Sequence, residues 1–273
     1  MRSISYTRHG LHSLLAIKTH EEFHDYLIGD AIRRLFATRD ELRVRSLSIL
    51  SICADWKDAE GLRKFPFKSI TLSGIHAPSE RLLGIIEQDA RIRYERQTAE
   101  HLSFDSRSFD IVFCKEGLHH LARPVLGLYE MLRVCREGAI FIEGHDGWLN
   151  RRLEHFGLSS KYERDNEGNA NQRSNYVFRW AKTHLQSLMN SYYLDSGWHI
   201  QLTCGWMGSR IHFHRHSLVR NLGITVGWLA SAIPGFEGNY LTAIIHPGDD
   251  LPVDPRGPPR SVVGSPGKTH DFV

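Results

Sequence analysis

Short apolar runs alternate with amphipathic stretches between residues 46 and 143, and this alternation limits the folds that the chain can adopt. The apolar runs are typical of strands, and the stretches between them carry apolar residues at helical spacing. The strand candidates are 47–52, 69–75, 91–95, 109–113 and 139–143, and the helix candidates are 56–65, 79–89 and 123–135. Strands that alternate with helices form βαβ units with parallel strands. The sequence therefore predicts an α/β fold with a mainly parallel central sheet flanked by helices.

The segments around and within this predicted α/β domain, residues 46–248, have other patterns. Apolar residues recur every fourth position from residue 20 to residue 38, and we expect residues 1–45 to form an N-terminal helical extension. Residues 147–200 combine helical stretches with a polar insert, which predicts a helical insertion that serves as a lid or as a mobile loop. Residues 249–273 are rich in proline and glycine and are predicted to be a disordered tail.

Composition limits the classes of protein to consider. Hydrophobic residues make up 41% and charged residues 24% of the 273 residues, which is ordinary for a globular domain. No apolar run approaches the roughly 20 residues that span a bilayer, and the first residues lack the pattern of a secretory signal, so we expect a cytoplasmic protein without a membrane anchor. A net charge of +3 is too small to indicate a nucleic-acid surface. The four cysteines are widely spaced and are predicted to be core residues.

One segment resembles a known family. The residues that carry the resemblance are Ser108-Phe-Asp-Ile-Val112, Leu118-His-His-Leu121 and the helical stretch Leu126–Val134. They resemble the second half of a class I S-adenosylmethionine-dependent methyltransferase, in the group that methylates sugars and other small molecules. The resemblance implies a Rossmann-like fold with an antiparallel final strand, for which residues 239–246 are the candidate.

The same resemblance implies a cofactor and partners. The cofactor would be S-adenosylmethionine, and the substrate a sugar or another small molecule. A homodimer, or a heterodimer with another methyltransferase, is the assembly that it suggests. Neither a membrane nor a nucleic acid is an expected partner.

The loop after the first strand departs from the family pattern. The family has an acidic residue followed by glycines spaced by one, and in this chain Ser51 stands at the acidic position while Cys53, Asp55 and Lys57 stand at the glycine positions. A residue other than glycine in a left-handed conformation costs roughly 1–2 kcal/mol, and its Cβ occupies space next to the cofactor. The resemblance therefore comes with a degenerate glycine loop.

Other family positions imply further contacts with the cofactor. His76 stands where the family has a carboxylate for the ribose hydroxyls, and a neutral imidazole accepts only one such hydrogen bond. The remaining positions are Ala99 and Glu100 beside the adenine ring, and Cys114, Lys115 and Leu118 beside the methionine part. The alternative is that this segment is kept because it packs the fold, with leucines such as Leu118 in the core.

Three histidines are candidates for a base that takes a proton from the methyl acceptor. His119 and His120 follow the fourth strand of the α/β pattern, and His145 follows the fifth, at the edge where a substrate would lie. The alternative is a structural role, since the Leu-His-His sequence has no common catalytic role in the family.

A second group of histidines alternates along the chain. His212, His214 and His216 would point to the same side of a strand, and three imidazoles on one side can bind zinc. The adjacent Arg210 and Arg215 argue against a cation there. We therefore predict no metal, and a histidine edge that faces solvent or substrate.

Three functions remain open from the sequence. The first is a methyltransferase with a divergent site for S-adenosylmethionine. The second is a catalytically inactive relative that acts as a structural or regulatory partner. The third is a pocket that has been repurposed for another ligand.

Overall fold

The protein is built around an eight-stranded sheet. The computed structural model describes residues 3–36, 44–157, 162–164, 174–189, 199–206 and 212–246. The strands are β1 (Ser3–Arg8), β2 (Ser48–Ile52), β3 (Ser69–Gly74), β4 (Ile92–Arg96), β5 (Phe109–Lys115), β6 (Cys135–Gly144), β7 (Tyr162–Arg164), β8 (Ser174–Tyr176), β9 (His199–Gly205) and β10 (Tyr240–His246). The helices are α1 (Leu11–Ala16), α2 (His20–Leu35), α3 (Trp56–Leu62), α4 (Glu80–Gln88), α5 (Pro124–Val134), α6 (Trp148–His155), α7 (Lys182–Met189) and α8 (Ser217–Ala230).

The strand order confirms the predicted Rossmann-like fold. The order is β1-β9-β10-β6-β5-β2-β3-β4, and β7 and β8 form a separate antiparallel hairpin. β10 runs antiparallel to both of its neighbours, as expected for the final strand, whereas the other neighbouring pairs are parallel. The chain order reverses between β2 and β5, and ligands of open α/β sheets bind beyond the carboxyl ends of the strands at such a point.

Helices cover both faces of the sheet because the central strands are apolar on both sides. Every residue of β5 is buried. On one face, Ile111 and Phe113 pack with Leu27 of α2 and Ile85 of α4. On the other face, Val112 and Cys114 pack in a cluster with Met131 of α5. This double cover explains why the strands read as continuous apolar runs rather than as alternating ones.

The N-terminal segment differs from the predicted helical extension. The amphipathic pattern does form a helix, α2, but residues 3–8 form a strand that pairs in parallel with β9 from Ser3↔His199 to Arg8↔Cys204. The predicted N-terminal helical extension therefore contains an edge strand as well as α1 and α2. The reason is that Ser-Ile-Ser-Tyr-Thr-Arg alternates with a period of two, which suits a strand at the edge of a sheet.

The segment predicted as a helical insertion is helical only in part. It contains α6, the β7–β8 hairpin and α7, and it returns to the sheet at Trp180, whose backbone N–H donates to the Gly144 carbonyl at 2.9 Å. Trp180 is fully buried. The role of residues 147–200 as a lid stays a prediction, and so do the domain boundaries. The predicted disordered tail lies outside the described residues. Within the described part of the chain, every helix is too short or too polar to cross a bilayer.

Candidate functional site

Two adjoining clefts lie beyond the carboxyl ends of the strands at the reversal of chain order. The first, here called the β3 cleft, has a volume of about 340 Å³ and lies between the loops that follow β2, β3 and β4. The second, the β5 cleft, has a volume of about 360 Å³ and lies between the loops that follow β2 and β5. Cys53, Asp55 and His120 line both clefts. Each volume is within the range of small-molecule sites.

Cys53 adopts a backbone conformation that normally favours glycine. Its φ angle is 53°, in the left-handed region. The side chain is accommodated by Gly117 in the loop after β5, because a Cβ on Gly117 would lie 2.5 Å from the Cβ of Cys53. The loop after β2 therefore has the shape that a glycine would give it, but it carries a thiol that packs against the β5 loop.

Asp55 closes the N-terminus of α3 with its own carboxylate. Its Oδ1 accepts hydrogen bonds from the backbone N–H groups of Lys57 (2.7 Å) and Asp58 (3.3 Å), and Asp58 accepts from the N–H of Asp55 (3.0 Å). This is a capping box. Asp58 is buried, and burial together with the charge of Asp55 raises the pKa of Asp58 to about 7. Lys57 places its ammonium over the ring of Trp56, 5.6 Å from the centroid.

An ion pair lines the β5 cleft. The Lys115 ammonium is 2.5 Å from Oε2 of Glu116, and Glu116 also has a left-handed backbone, with φ 48°. Burial alone would raise the pKa of Glu116, but the attraction to Lys115 outweighs it and holds the pKa below its usual value. The Glu116 carboxylate is therefore ionised beside the cleft at neutral pH.

Two histidines of α2 lie against this ion pair. Nδ1 of His24 is 3.7 Å from Oε2 of Glu116, and His20 is 3.4 Å from His24 between their Nε2 atoms. Burial lowers the pKa of His24 to about 4, so this imidazole is neutral near pH 7. Sequence reasoning missed both histidines and Asp58. The signal for the histidines was their four-residue spacing, which places them on the same side of α2.

Glu143 organises the turn that carries the predicted base. Its Oε1 accepts from the backbone N–H groups of Gly117 (3.0 Å) and Leu118 (2.8 Å), and its Oε2 accepts from Nδ1 of His119 (2.5 Å). Glu143 is fully buried at the end of β6. A carboxylate on Nδ1 fixes the tautomer and direction of an imidazole. His119 lines the β5 cleft, and the ring of His120 lies beside it, with 4.3 Å between the ring centroids and a tilt of 45° between the ring planes.

The β3 cleft is mostly apolar. Ile75, Leu82, Ala99 and Leu121 contribute to its wall. Its polar edge is the loop after β3, where the Tyr94 hydroxyl donates to the carbonyl of His76 at 2.8 Å. A Cβ on Gly74 would lie 2.7 Å from that hydroxyl, so a side chain at this position would displace the Tyr94 hydroxyl. The side chain of His76 is exposed in the cleft, and the hydrogen bond from Tyr94 fixes the backbone of its loop.

Five residues predicted to be at the site are not among the residues that line the clefts. Ser51, Cys114 and Leu118 are fully buried beneath them. The Glu100 carboxylate is taken by Arg123, whose backbone N–H lies 2.5 Å from Oε1 and whose Nη2 lies 2.8 Å from Oε2. His145 is buried and donates from Nδ1 to the Gly238 carbonyl at 3.0 Å, so it holds the loop before β10.

The alternating histidines do not lie on a strand, and that expectation is wrong. His212 is in a helical turn and packs against Phe23, with 6.1 Å between ring centroids, while His214 and His216 lie in the connection to α8. His212 is therefore buried against an aromatic ring, whereas His214 and His216 contact each other, with 5.4 Å between their ring centroids. Among the described residues, no group of three or more histidine, cysteine and acidic side chains is placed to hold a metal ion.

Comparison with known proteins gives one family match. Residues 74–142, from the end of β3 to Ile142 of β6, match a family model described as a methyltransferase domain. The residues that this stretch contributes to the clefts include His76, Ala99, Lys115, His119 and His120. No curated protein matches the chain at a significant level.

Solved structures of similar shape share little sequence with this chain. YcgJ from Bacillus subtilis has a TM-score of 0.53 at 13% identity, over 82% of this chain and 99% of that one. A candidate sarcosine dimethylglycine methyltransferase from Galdieria sulphuraria has a TM-score of 0.50 at 12% identity, over 87% and 94%. The cyclase SpnF has a TM-score of 0.50 at 16% identity, over 88% and 85%. The strand order and the family match together show that the chain has the class I methyltransferase fold, and they support S-adenosylmethionine as its cofactor.

Proposed function

We propose that the protein transfers a methyl group from S-adenosylmethionine to a hydroxyl or amine of a small metabolite, such as a sugar. The observation that supports this most is the pair of adjoining clefts at the reversal of strand order, one mostly apolar and the other charged. S-Adenosylmethionine has the same two parts, a flat nucleoside and a zwitterionic amino acid. The family match over residues 74–142 supports the same reaction class.

The β3 cleft would hold the nucleoside. Ala99 and Leu121 offer an apolar wall for the adenine ring, and His76 would be a hydrogen-bond partner for a ribose hydroxyl. The Glu100 carboxylate is hydrogen-bonded to Arg123, so the polar edge of the adenine would form hydrogen bonds with backbone groups rather than with that carboxylate.

The β5 cleft would hold the amino-acid part. Lys115 supplies a positive charge for the carboxylate, and Glu116 and Asp58 supply acceptors for the ammonium. Because Lys115 is almost completely buried, its attraction for a carboxylate is screened little by water. Charge of both signs in one small cleft fits a zwitterion better than it fits a simple anion or cation.

His119 is the base that we propose for the acceptor. When bound, the cofactor supplies an activated methyl group on a sulfonium. His119 would accept the proton of the acceptor hydroxyl or amine, and Glu143 would stabilise the imidazolium that forms. His120 is exposed and lines both clefts, and it would contact the acceptor rather than take its proton.

A specific observation favours a second candidate, an inactive relative that acts as a partner of another methyltransferase. Cys53 and Asp55 fill a loop in which glycines would leave room, and Asp55 already satisfies the N–H groups at the start of α3. A third candidate is a repurposed pocket, since SpnF is described as a cyclase although its fold is similar. We place the protein in the cytoplasm under each proposal.

Titration calorimetry with S-adenosylmethionine and its demethylated product distinguishes these proposals. We expect micromolar binding by the wild-type protein. Ala77→Trp, which adds bulk to an exposed residue of the β3 cleft, should weaken binding at least tenfold, whereas Leu83→Trp on the outer side of α4 should leave it unchanged. Absence of binding at millimolar cofactor in a folded protein would overturn the methyltransferase proposal, and co-purification with another chain would then support the partner role.

A further inference from the structure

Two of the four cysteines meet at the floor of the site. Burial and the neighbouring Cys53 side chain both raise the pKa of the Cys114 thiol. A Cβ built on Gly117 would lie 3.3 Å from Sγ of Cys53 and 2.9 Å from Sγ of Cys114, so both sulfurs face the same gap in the β5 loop. The other two cysteines lie elsewhere in the core, where Cys135 donates to the Leu132 carbonyl.

The backbone places this pair at the separation that a disulfide needs. β2 and β5 are neighbouring parallel strands, with Ile52 opposite Cys114, and Cys53 is the next residue of the chain. A strand spacing of about 4.8 Å and a rise of about 3.3 Å per residue give a Cα–Cα separation of about 5.8 Å for such a diagonal pair. Disulfides have Cα–Cα separations of about 4.4–6.8 Å. The estimated Cα–Cα separation of the pair is therefore compatible with a disulfide.

The two thiols differ in access. Cys53 is partly exposed and lines both clefts, while Cys114 is fully buried behind it. This is the arrangement of a thiol that meets an oxidant and a second thiol that resolves the product. We propose that Cys53 and Cys114 form a reversible disulfide when the protein meets a hydroperoxide.

The reaction balances with hydrogen peroxide as the only co-reactant. The Cys53 sulfur attacks one peroxide oxygen, the O–O bond breaks, and Cys53 becomes a sulfenic acid while the other oxygen leaves as water. The Cys114 sulfur then attacks the Cys53 sulfur. The S–S bond forms, the S–O bond breaks, and the second water leaves with the proton of the Cys114 thiol. Two thiols are oxidised by two electrons and one peroxide is reduced to two waters.

The position of Cys53 connects this chemistry to the proposed cofactor site. Because Cys53 lies in the wall shared by both clefts, a molecule that fills them covers the thiol. At a concentration ten times its dissociation constant, a ligand leaves the site empty about one-eleventh of the time, so oxidation should slow roughly tenfold. This second part rests on the proposed function, whereas disulfide formation itself does not.

Mass spectrometry of the whole folded protein tests the proposal. After treatment with roughly a tenfold excess of hydrogen peroxide, we expect the intact mass to fall by about 2 Da, a linked Cys53–Cys114 peptide to appear, and dithiothreitol to reverse both. Cys53→Ser should abolish the linked peptide. Cys204→Ala, which removes a buried cysteine away from the pair, should leave it unchanged.

A further variant separates resolution from reactivity. In Cys114→Ala, Cys53 should stop at the sulfenic acid, which dimedone traps, and circular dichroism confirms that the variant is folded. A folded wild-type protein that consumes peroxide without forming the linked peptide would overturn the proposal.

The assay is repeated with S-adenosylhomocysteine, the demethylated cofactor. Slower formation of the linked peptide would support both the disulfide and the proposed site. Formation of the disulfide at an unchanged rate would leave the redox inference standing and would count against the cofactor site.

Discussion

The chain departs from the family pattern at single residues, and Cys53 shows the cost of such a departure, which is backbone strain. Its left-handed backbone is shared by Arg107, at φ 57°, which lies away from the clefts. The loop residues were identifiable from sequence because they follow a strand end directly. What the sequence could not show is that Gly117, 64 positions later, leaves the space that Cys53 fills. Complementarity of this kind depends on how two loops meet, which residue patterns do not encode.

The replacement Cys53→Gly tests whether the thiol limits the site. Glycine removes the left-handed strain, a gain of about 1 kcal/mol before the entropy of the unfolded chain is counted, and it opens the wall between the clefts. We expect tighter binding of S-adenosylhomocysteine by calorimetry. Arg107→Gly relieves the same strain away from the clefts and should change thermal stability without changing affinity. Equal affinities for Cys53→Gly and wild type would show that the thiol does not obstruct the ligand.

Glu143 combines a structural and a proposed catalytic role in one carboxylate. In Glu143→Gln the side chain keeps one acceptor for the Gly117 and Leu118 amides but loses the charge beside His119. We expect the free energy of unfolding in urea to fall by about 1–3 kcal/mol. If His119 is the base, the turnover number falls as well, with a changed pH profile. Glu87→Gln, on the exposed side of α4, is the control and should match wild type in both measurements.

At the scale of elements, sequence reasoning was most accurate where patterns are long. The helices from α2 to α5 begin and end within a few residues of their predicted bounds, because apolar spacing and caps agree there. It was less accurate at the junction of α5 and β6, where the strand predicted over 139–143 begins at Cys135, directly after the helix ends at Val134. Gly138 therefore lies within the strand. A Cβ on Gly138 would lie 2.9 Å from Leu35 of α2, so this glycine serves packing between elements.

The buried Asp58 in the capping box of α3 should make the stability of the protein depend on pH. Burial raises the pKa of Asp58 from 3.8 to about 7, so folding favours the protonated acid. The stability that this provides is complete below about pH 4 and is lost as the pH rises towards 7. Asp58→Asn keeps an acceptor for the Asp55 amide and cannot ionise. We expect it to be more stable than wild type at pH 8 by urea unfolding, with a smaller difference at pH 5. A difference that does not change with pH would contradict the raised pKa.

At the scale of the whole molecule, β1 completes the sheet and secures α2. Arg34 of α2 donates to the hydroxyl of Thr7 and to the carbonyl of Arg8, each at 3.0 Å, and His9 meets Asp30 at 3.1 Å. These contacts join the first residues to the helix that places His20 and His24 beside the β5 cleft. They were invisible in the sequence because each joins positions more than 20 residues apart.

Removal of residues 1–9 tests this arrangement. The truncated protein has an unpaired edge at β9 and loses the contacts of Asp30 with His9 and of Arg34 with Arg8. We expect a lower melting temperature and aggregation detectable by light scattering, since exposed edge strands pair with other chains. Removal of residues 1–2 alone, which leaves β1 complete, should have no effect. A truncated protein that stays monodisperse and melts like wild type would show that β1 is dispensable.

The pairing of β1 with β9 also determines when β1 can join the sheet during synthesis of the chain. Thr7 meets Thr203, 196 positions further along the chain, with 2.7 Å between their hydroxyl oxygens. At synthesis rates of about 5–20 residues per second, β1 waits roughly 10–40 s for β9. During translation β1 is therefore complete well before the strand that it pairs with, and its backbone N–H and C=O groups on that side stay without their β9 partners for this time.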